Sequence, residues 1–202
     1  MNTSPRLWER LGSLFNYPRD AGYGDRLREC RLELEALLPA AAAELEAVEN
    51  ALAPKEPWEI EELYTRAFDM NPVCALEIGW HLYGEQYERG RFLVRARELL
   101  AHLSIAEDGE LPDHLSLMLI AMGRLDVKDK APFAARFLVP ALREMRSAIA
   151  GGSSPFAGLI SAATMLAVVE AKDVPIARIQ RRPDLVQLGG RPKRAANARP
   201  MP

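Results

Sequence analysis

The sequence is poor in the residues from which catalytic and metal centres are built. Its 202 residues include three histidines and two cysteines, and they contain no GxSxG, HExxH, phosphate-binding glycine loop or GxGxxG after a strand. Cys30 and Cys74 lie far apart and form no CxxC pair, which indicates buried thiols in a reducing compartment rather than a disulfide. We therefore expect no enzymatic activity and no cofactor of the protein's own.

Long apolar runs are also lacking. The longest, near Phe156–Val169, is shorter than the roughly 20 residues that a helix needs to cross a bilayer. Arg6, Glu9 and Arg10 interrupt the apolar stretch that a secretory signal would need. These absences predict a protein with no membrane span and a cytoplasmic location.

Apolar and charged residues, in contrast, are abundant at 49% and 27%. This balance is typical of a globular chain with a substantial core. The charges are unevenly placed: residues 176–202 carry seven of the 26 cations and one of the 28 anions, which leaves 19 cations and 27 anions, a formal charge of −8, in residues 1–175. The sequence predicts an acidic body with a basic tail.

Apolar residues recur at helical spacing throughout residues 1–175, and no stretch alternates as a strand would. The predicted helices begin at Pro5, Asp25 (to Leu38), Ala40 (to Leu52), Pro57, Val73 (to Tyr83), Gly90 (to Leu103), Leu115, Phe133 (to Ile149, kinked at Pro140) and Phe156 (to Glu170). We predict an all-α, single-domain bundle of roughly eight to nine helices over residues 1–175, followed by a disordered basic tail over residues 176–202.

One cluster of metal-ligand types has helical spacing. Cys74, Glu77 and His81 stand at i, i+3 and i+7, on one face of the predicted helix. A structural zinc site needs four ligands, and no fourth is evident, so packing is the favoured interpretation. A small helical metalloprotein or hydrolase using these three residues is the alternative.

Two other segments combine helix-boundary chemistry with acidic residues. EELYTRAFDMNP, residues 61–72, is a helix ended by Asn71-Pro72, and ELPDH, residues 110–114, is an acidic helix start. Asp113 and His114 are adjacent and do not face each other on a helix, which disfavours an acid–base dyad. Their acidic groups either serve the helix dipole or line a groove that binds arginine.

The basic tail also allows two interpretations. Arg181-Arg182 and the cations of residues 191–194 could contact nucleic acid. However, the tail has no aromatic side chain to stack on a base, and the body is acidic. We predict no nucleic-acid partner and either a solvated tail or one that folds back on the acidic body.

Four segments together resemble a known family. They are LWERLGSLFNYPRD (Leu7–Asp20), LYTRAFDMNP (Leu63–Pro72), HLYGEQYERG (His81–Gly90) and ELPDH (Glu110–His114). In order and spacing they are similar to the molybdenum-enzyme assembly chaperones, the nitrate reductase delta subunit/TorD group, and are nearest its nitrate reductase delta branch.

This resemblance implies a chaperone that binds the N-terminal segment, a twin-arginine signal or its vestige, of the apo catalytic subunit of a molybdenum oxidoreductase. It would assist cofactor insertion before membrane attachment or export, and it could form a homodimer by helix exchange across Gly151–Ser154. Asp69, Glu110 and Asp113 would attract the peptide's cations, and Tyr64 and Phe68 would supply an apolar wall. The full set of peptide-binding residues implied by the resemblance is Tyr64, Phe68, Asp69, Asn71, Pro72, Glu110, Pro112, Asp113 and His114.

Overall fold

The structure, a computed structural model, describes residues 3–150 and 154–179. Its α-helices are α1 (Pro5–Ser13), α2 (Tyr23–Glu35), α3 (Pro39–Leu52), α4 (Pro57–Tyr64), α5 (Ile78–Tyr83), α6 (Tyr87–His102), α7 (Leu115–Arg124), α8 (Val127–Phe133), α9 (Val139–Ile149) and α10 (Ala157–Glu170). A π-helical turn, Ala134–Leu138, joins α8 and α9 into one continuous helix. The described residues therefore form nine continuous helices and no strand. The predicted all-α, single-domain bundle is confirmed.

Local chemistry explains where several helices begin. Proline is the first residue of α1, α3 and α4, where its missing N–H costs no hydrogen bond. The Ser4 hydroxyl accepts the N–H of Leu7 at 3.0 Å and caps α1. Before α4, Glu56 and Glu59 form a reciprocal capping box. The starts of α1 and α4 were predicted at the observed residues, and α3 begins one residue before the predicted Ala40.

The core forms between helices that are adjacent in space and often distant in sequence. Helix α1 packs on α7, α2 packs on α3, and α10 lies against α3 and α9. Glycines allow the closest crossings: a Cβ at Gly158 would collide with the Glu44 carbonyl oxygen, and one at Gly123 would lie 2.6 Å from the Pro5 carbonyl oxygen. Such contacts bring the backbones of α10 and α3, and those of α7 and α1, close together.

The helix predicted over Val73–Tyr83 is wrong in its first half. Residues Pro72–Cys74 form a short 3₁₀ turn, the next residues are extended, and α5 begins only at Ile78. The reason is a long-range backbone pairing, in which Ile78 donates to the Asp113 carbonyl oxygen at 3.0 Å. Helical periodicity does not reveal a pairing of this kind.

The helix predicted over Phe133–Ile149 also differs from the observed one. It begins at Val127 rather than Phe133, and its irregularity is the π turn that precedes Pro140. In that turn Val139 donates its N–H to the Ala134 carbonyl oxygen, five residues back. The extra residue in the turn accommodates Pro140, which has no N–H to donate, within a continuous helix.

The body ends later than predicted. Residues 176–179, assigned from the sequence to the tail, lie against the bundle, where Ala177 donates to the Ala135 carbonyl oxygen at 3.0 Å and Ile176 and Ile179 pack on the core. The rest of the predicted tail lies outside the described residues, as does most of the Gly151–Ser154 joint. No helix in the described part of the chain is both long enough and apolar enough to cross a membrane.

We predict that Gly158→Ala lowers the free energy of unfolding by about 1–3 kcal/mol, because the new methyl group pushes α10 away from α3. Gly90→Ala is the matched control. Gly90 lies in α6 with open space around its Cα, so alanine there is expected to stabilise the protein by up to about 1 kcal/mol. Urea unfolding measures both values. Equal effects at the two positions would contradict the close α3–α10 crossing.

Candidate functional site

Two hydrogen bonds join the segments that the sequence singled out. Ile78 donates to the Asp113 carbonyl oxygen at 3.0 Å, and Leu115 donates to the Leu76 carbonyl oxygen at 2.8 Å. Glu77 and His114 are paired between them as an antiparallel bridge. The chain after LYTRAFDMNP therefore runs beside ELPDH, and the two motifs form one continuous surface.

Asp113 lies beneath this surface and anchors it. The side chain is fully buried, and Oδ2 accepts the N–H of Gly79 at 3.0 Å in the first turn of α5. A Cβ at Gly79 would lie 2.5 Å from that oxygen, so only glycine fits there. Burial raises the pKa of Asp113, and the positive charge of Arg89 opposes the rise. The sequence placed Asp113 at the groove edge; the structure makes it an internal cap of α5, out of contact with solvent.

His114 is also buried, at 5% exposure, and caps α7. Its Nδ1 lies 2.8 Å from the Ser116 hydroxyl, and its Nε2 is 4.0 Å from Glu110 Oε2. Burial lowers the pKa of His114, and the carboxylate of Glu77 opposes the shift. Pro112 is buried as well, and α7 begins at Leu115, as predicted. Pro112, Asp113 and His114 therefore support the surface from beneath and do not form it.

The carboxylates of Asp69, Glu77 and Glu110 lie near one another at the surface, above these buried residues. Burial raises the pKa of Asp69, and the negative charges of Glu110 and Glu77 raise it further, which shows that the three groups share one electrostatic neighbourhood. No lysine or arginine of the described residues forms an ion pair with any of them. We call Asp69, Glu77 and Glu110 the carboxylate cluster.

Exposed apolar side chains flank the cluster. Met70 is 73% exposed, Val73 62% and Leu111 44%. Each is next to, or within four residues of, a member of the cluster in the chain. Large apolar side chains left in water beside carboxylates are typical of a binding surface. Helical periodicity could not identify these three residues, because they lie in turns.

Tyr64 and Phe68 do not line this surface. They are 3% and 2% exposed, and the Tyr64 hydroxyl donates to the Phe15 carbonyl oxygen at 2.7 Å. Their rings lie 5.0 Å apart, and the ring of Phe156 lies 5.7 Å from each. Burial raises the pKa of Tyr64. The two aromatic residues hold the π turn Thr65–Asp69 on the core and so support the apolar wall without forming it.

Asn71 and Pro72 shape the turn that carries Asp69. The Asn71 carbonyl oxygen accepts the N–H of Cys74 at 2.9 Å, and Pro72 opens the 3₁₀ turn with its ring exposed. They set the position of Met70 and Val73 relative to the cluster.

The structure disperses the metal-ligand types Cys74, Glu77 and His81. The extended residues before α5 remove the shared helical face on which the hypothesis depended. Cys74 is buried with its pKa raised to about 11, and His81 Nε2 lies 2.7 Å from the Ala75 carbonyl oxygen. Among residues 3–150 and 154–179 no group of three potential ligands could hold a metal ion. The metalloprotein alternative has no site in this part of the chain.

Residues 33–158, more than half of the sequence, match the family model described as nitrate reductase delta subunit. The chain belongs to this family. The matched range contains LYTRAFDMNP, HLYGEQYERG and ELPDH, whereas the opening segment Leu7–Asp20 lies outside it. No curated protein matches the sequence.

Membership in the nitrate reductase delta subunit family confirms the resemblance seen in the sequence. The family supplies chaperones for nitrate reductase maturation, which act with the catalytic subunit and are not themselves catalytic. The surface described above is consistent with such a role, because it combines charge with exposed apolar area.

We predict that Asp113→Ala lowers the free energy of unfolding by about 1–3 kcal/mol, because the buried Gly79 N–H loses its acceptor. Asp113→Asn keeps an oxygen that can accept this bond and is expected to cost less. Glu110→Gln, at an exposed position, is the control and should leave stability unchanged. Urea unfolding of the three variants tests the order. An Asp113→Ala protein as stable as the Glu110→Gln protein would show that Asp113 is not an anchor.

His114 gives a pH-dependent prediction. Its folded-state pKa is lowered below the ordinary value of 6.5, so the native protein binds fewer protons than the unfolded chain as the pH falls through that region. Stability from this group is present above 6.5 and is lost on acidification. His114→Asn retains a capping acceptor and does not titrate. We expect stability to fall more steeply between about pH 7.5 and pH 5.5 in the unmodified protein than in the variant. Parallel curves would contradict the assignment.

Proposed function

We propose that the protein binds the N-terminal segment of the apo catalytic subunit of a molybdenum oxidoreductase on the surface formed by the carboxylate cluster and its apolar flanks. The segment is of the twin-arginine type or its vestige. Binding keeps the subunit competent for cofactor insertion and delays its membrane attachment or export. The observation that carries the proposal is the juxtaposition of three carboxylates, none of them paired with a lysine or arginine of the described residues, with three exposed apolar side chains.

The electrostatics of the surface favour a cationic ligand. The raised pKa of Asp69 reflects repulsion from Glu77 and Glu110 in addition to burial. A guanidinium group placed among the three would relieve this repulsion and could donate bidentate hydrogen bonds to a carboxylate. Adjacent arginines are the part of a twin-arginine segment that this cluster suits.

The apolar flanks suit the other part of such a segment. Met70, Val73 and Leu111 offer exposed apolar area next to, or within four residues of, members of the cluster in the chain, and methionine adapts to side chains of different shape. A surface with carboxylates at its centre and apolar area beside them matches a peptide in which arginines precede an apolar stretch.

The buried part of the site supports binding by holding both segments in place. Asp113 caps α5 and the bridge between Glu77 and His114 ties the two loops together. Because the loops are already fixed, less conformational entropy is lost when a peptide binds. The reduced, buried state of Cys30 and Cys74 is compatible with a cytoplasmic chaperone that acts before export.

The proposal predicts that the triple variant Asp69→Asn, Glu77→Gln and Glu110→Gln binds an N-terminal peptide of a molybdenum oxidoreductase catalytic subunit about tenfold more weakly, since several exposed charge pairs are lost together. Fluorescence anisotropy with a labelled peptide measures the affinity. The affinity of the unmodified protein should also fall as salt is added.

The matched control removes the same number of charges elsewhere, by Glu46→Gln, Glu98→Gln and Asp129→Asn at exposed positions. We expect this control to bind like the unmodified protein. No saturable binding by the unmodified protein, or an equal loss in both triple variants, would sink the proposal. Leu111→Ser is expected to weaken binding without changing its salt dependence, which separates the apolar contribution from the charged one.

A further inference from the structure

A second concave surface lies on another part of the bundle, between α6 and the C-terminal end of α8 with the π turn that follows it. Its floor is aromatic: the ring of Phe137 lies 5.3 Å from the rings of both Phe92 and Phe133, and the ring of Tyr83 lies 5.5 Å from that of Phe92, tilted by 49°. Leu99 contributes aliphatic area to the same lining. The hollow measures about 460 Å³, enough to take a few large apolar side chains.

The rim of this hollow is cationic. Arg91, Arg95 and Arg136 all line it and are exposed. No ion pair joins any of them to a carboxylate of the described residues. The Arg136 guanidinium lies 5.3 Å from the centroid of the Phe137 ring, which fixes it over the aromatic floor. We call these residues the arginine–aromatic groove.

One further observation shows that two of the arginines, Arg95 and Arg136, act on the groove itself. Burial raises the pKa of the Tyr83 hydroxyl, and the positive charges of Arg136 and Arg95 oppose that rise. The charges from both walls therefore reach the same point inside the groove. An anionic group entering there would meet cations on two sides and an apolar floor beneath.

The apolar surface continues beyond the groove along α6. Tyr87 is 81% exposed and Val94 is 57% exposed, four residues before and three residues after Arg91 on the same helix. This spacing places them on the face of α6 that carries Arg91. The resulting surface is an elongated strip, longer than a small ligand would need and typical of a groove that receives a helix.

The charge distribution favours a polypeptide over a polyanion as the ligand of the groove. Residues 1–175 carry a formal charge of −8, which repels nucleic acid and anionic bilayers at long range. Glu88 also lines the groove and would repel an unbroken row of phosphates. A segment with a few carboxylates placed beside apolar side chains avoids both penalties.

We propose that the arginine–aromatic groove binds an acidic amphipathic helix of a partner protein, with large apolar side chains on the floor and carboxylates paired with Arg91, Arg95 and Arg136. This site takes the opposite charge from the carboxylate cluster and is independent of the proposed peptide binding there. The protein thus has two docking surfaces of opposite sign.

The test uses the full chain and two synthetic helical peptides. Both carry leucine along one face; one has glutamate on its flanks and the other has lysine at the same positions. We expect the glutamate peptide to bind about tenfold more tightly than the lysine peptide. In the double variant Arg91→Glu and Arg95→Glu the preference should reverse, because the rim charge has changed sign.

Arg143→Glu with Arg146→Glu, at exposed positions of α9, is the matched control and should keep the original preference. If circular dichroism shows that the Arg91→Glu, Arg95→Glu protein is misfolded, the double variant Arg91→Gln and Arg95→Gln replaces it. This variant should bind the glutamate and lysine peptides equally. A groove variant that still prefers the glutamate peptide, or a protein that binds neither peptide, would overturn the proposal. So would saturable binding of homopolymeric RNA or of phosphatidylglycerol vesicles that is lost in the groove variant while neither peptide binds.

Discussion

The pairing of Leu76–Ile78 with Asp113–Leu115 is the constraint on which the rest of the site depends. These residues are far apart in the chain, and the short extended pairing is what brings their loops together. The pairing carries a cost, because it interrupts a helix that the sequence would otherwise continue through Ala75. The buried carboxylate of Asp113 offsets that cost by capping the shortened α5 through Gly79. Glu77 reaches the surface beside Glu110 and Asp69 only because the backbone is extended at this point.

The same short helix links the two faces of the molecule. A side chain at Gly79 would collide with Asp113 Oδ2 and would also lie 2.9 Å from a ring carbon of Phe92, which belongs to the floor of the arginine–aromatic groove. Helix α5 therefore packs against the anchor of the acidic surface and the floor of the basic one. A chaperone that engages a large subunit benefits from contacts of opposite charge at separate points, since each sets the orientation of the partner for the other. On this account residues 1–175, with a formal charge of −8, carry two surfaces of opposite sign.

Helical periodicity and cap chemistry were sufficient to predict the fold. Prolines and a capping serine marked helix starts, and apolar spacing marked buried faces, so the bundle could be predicted from local information. The site could be predicted only in part. The resemblance proposed Asp69 and Glu110, which are exposed, and it also proposed Asp113 and His114, which are buried. Residues in turns have no periodicity that separates inside from outside, which is why the exposed Met70, Val73 and Leu111 escaped notice. Glu77 was assigned to a metal hypothesis because the backbone pairing that redirects it arises from a segment more than thirty residues away.

The central claim is that the two paired loops form one peptide-binding surface. Hydrogen exchange of the protein with and without an N-terminal peptide of a molybdenum oxidoreductase catalytic subunit tests it most directly, because each amide reports its own protection. The account predicts that exchange slows at residues 69–74 and 108–111 together when the peptide binds, and stays unchanged along α3. Protection of only one of the two loops, or protection confined to α6 and the arginine–aromatic groove, would contradict it.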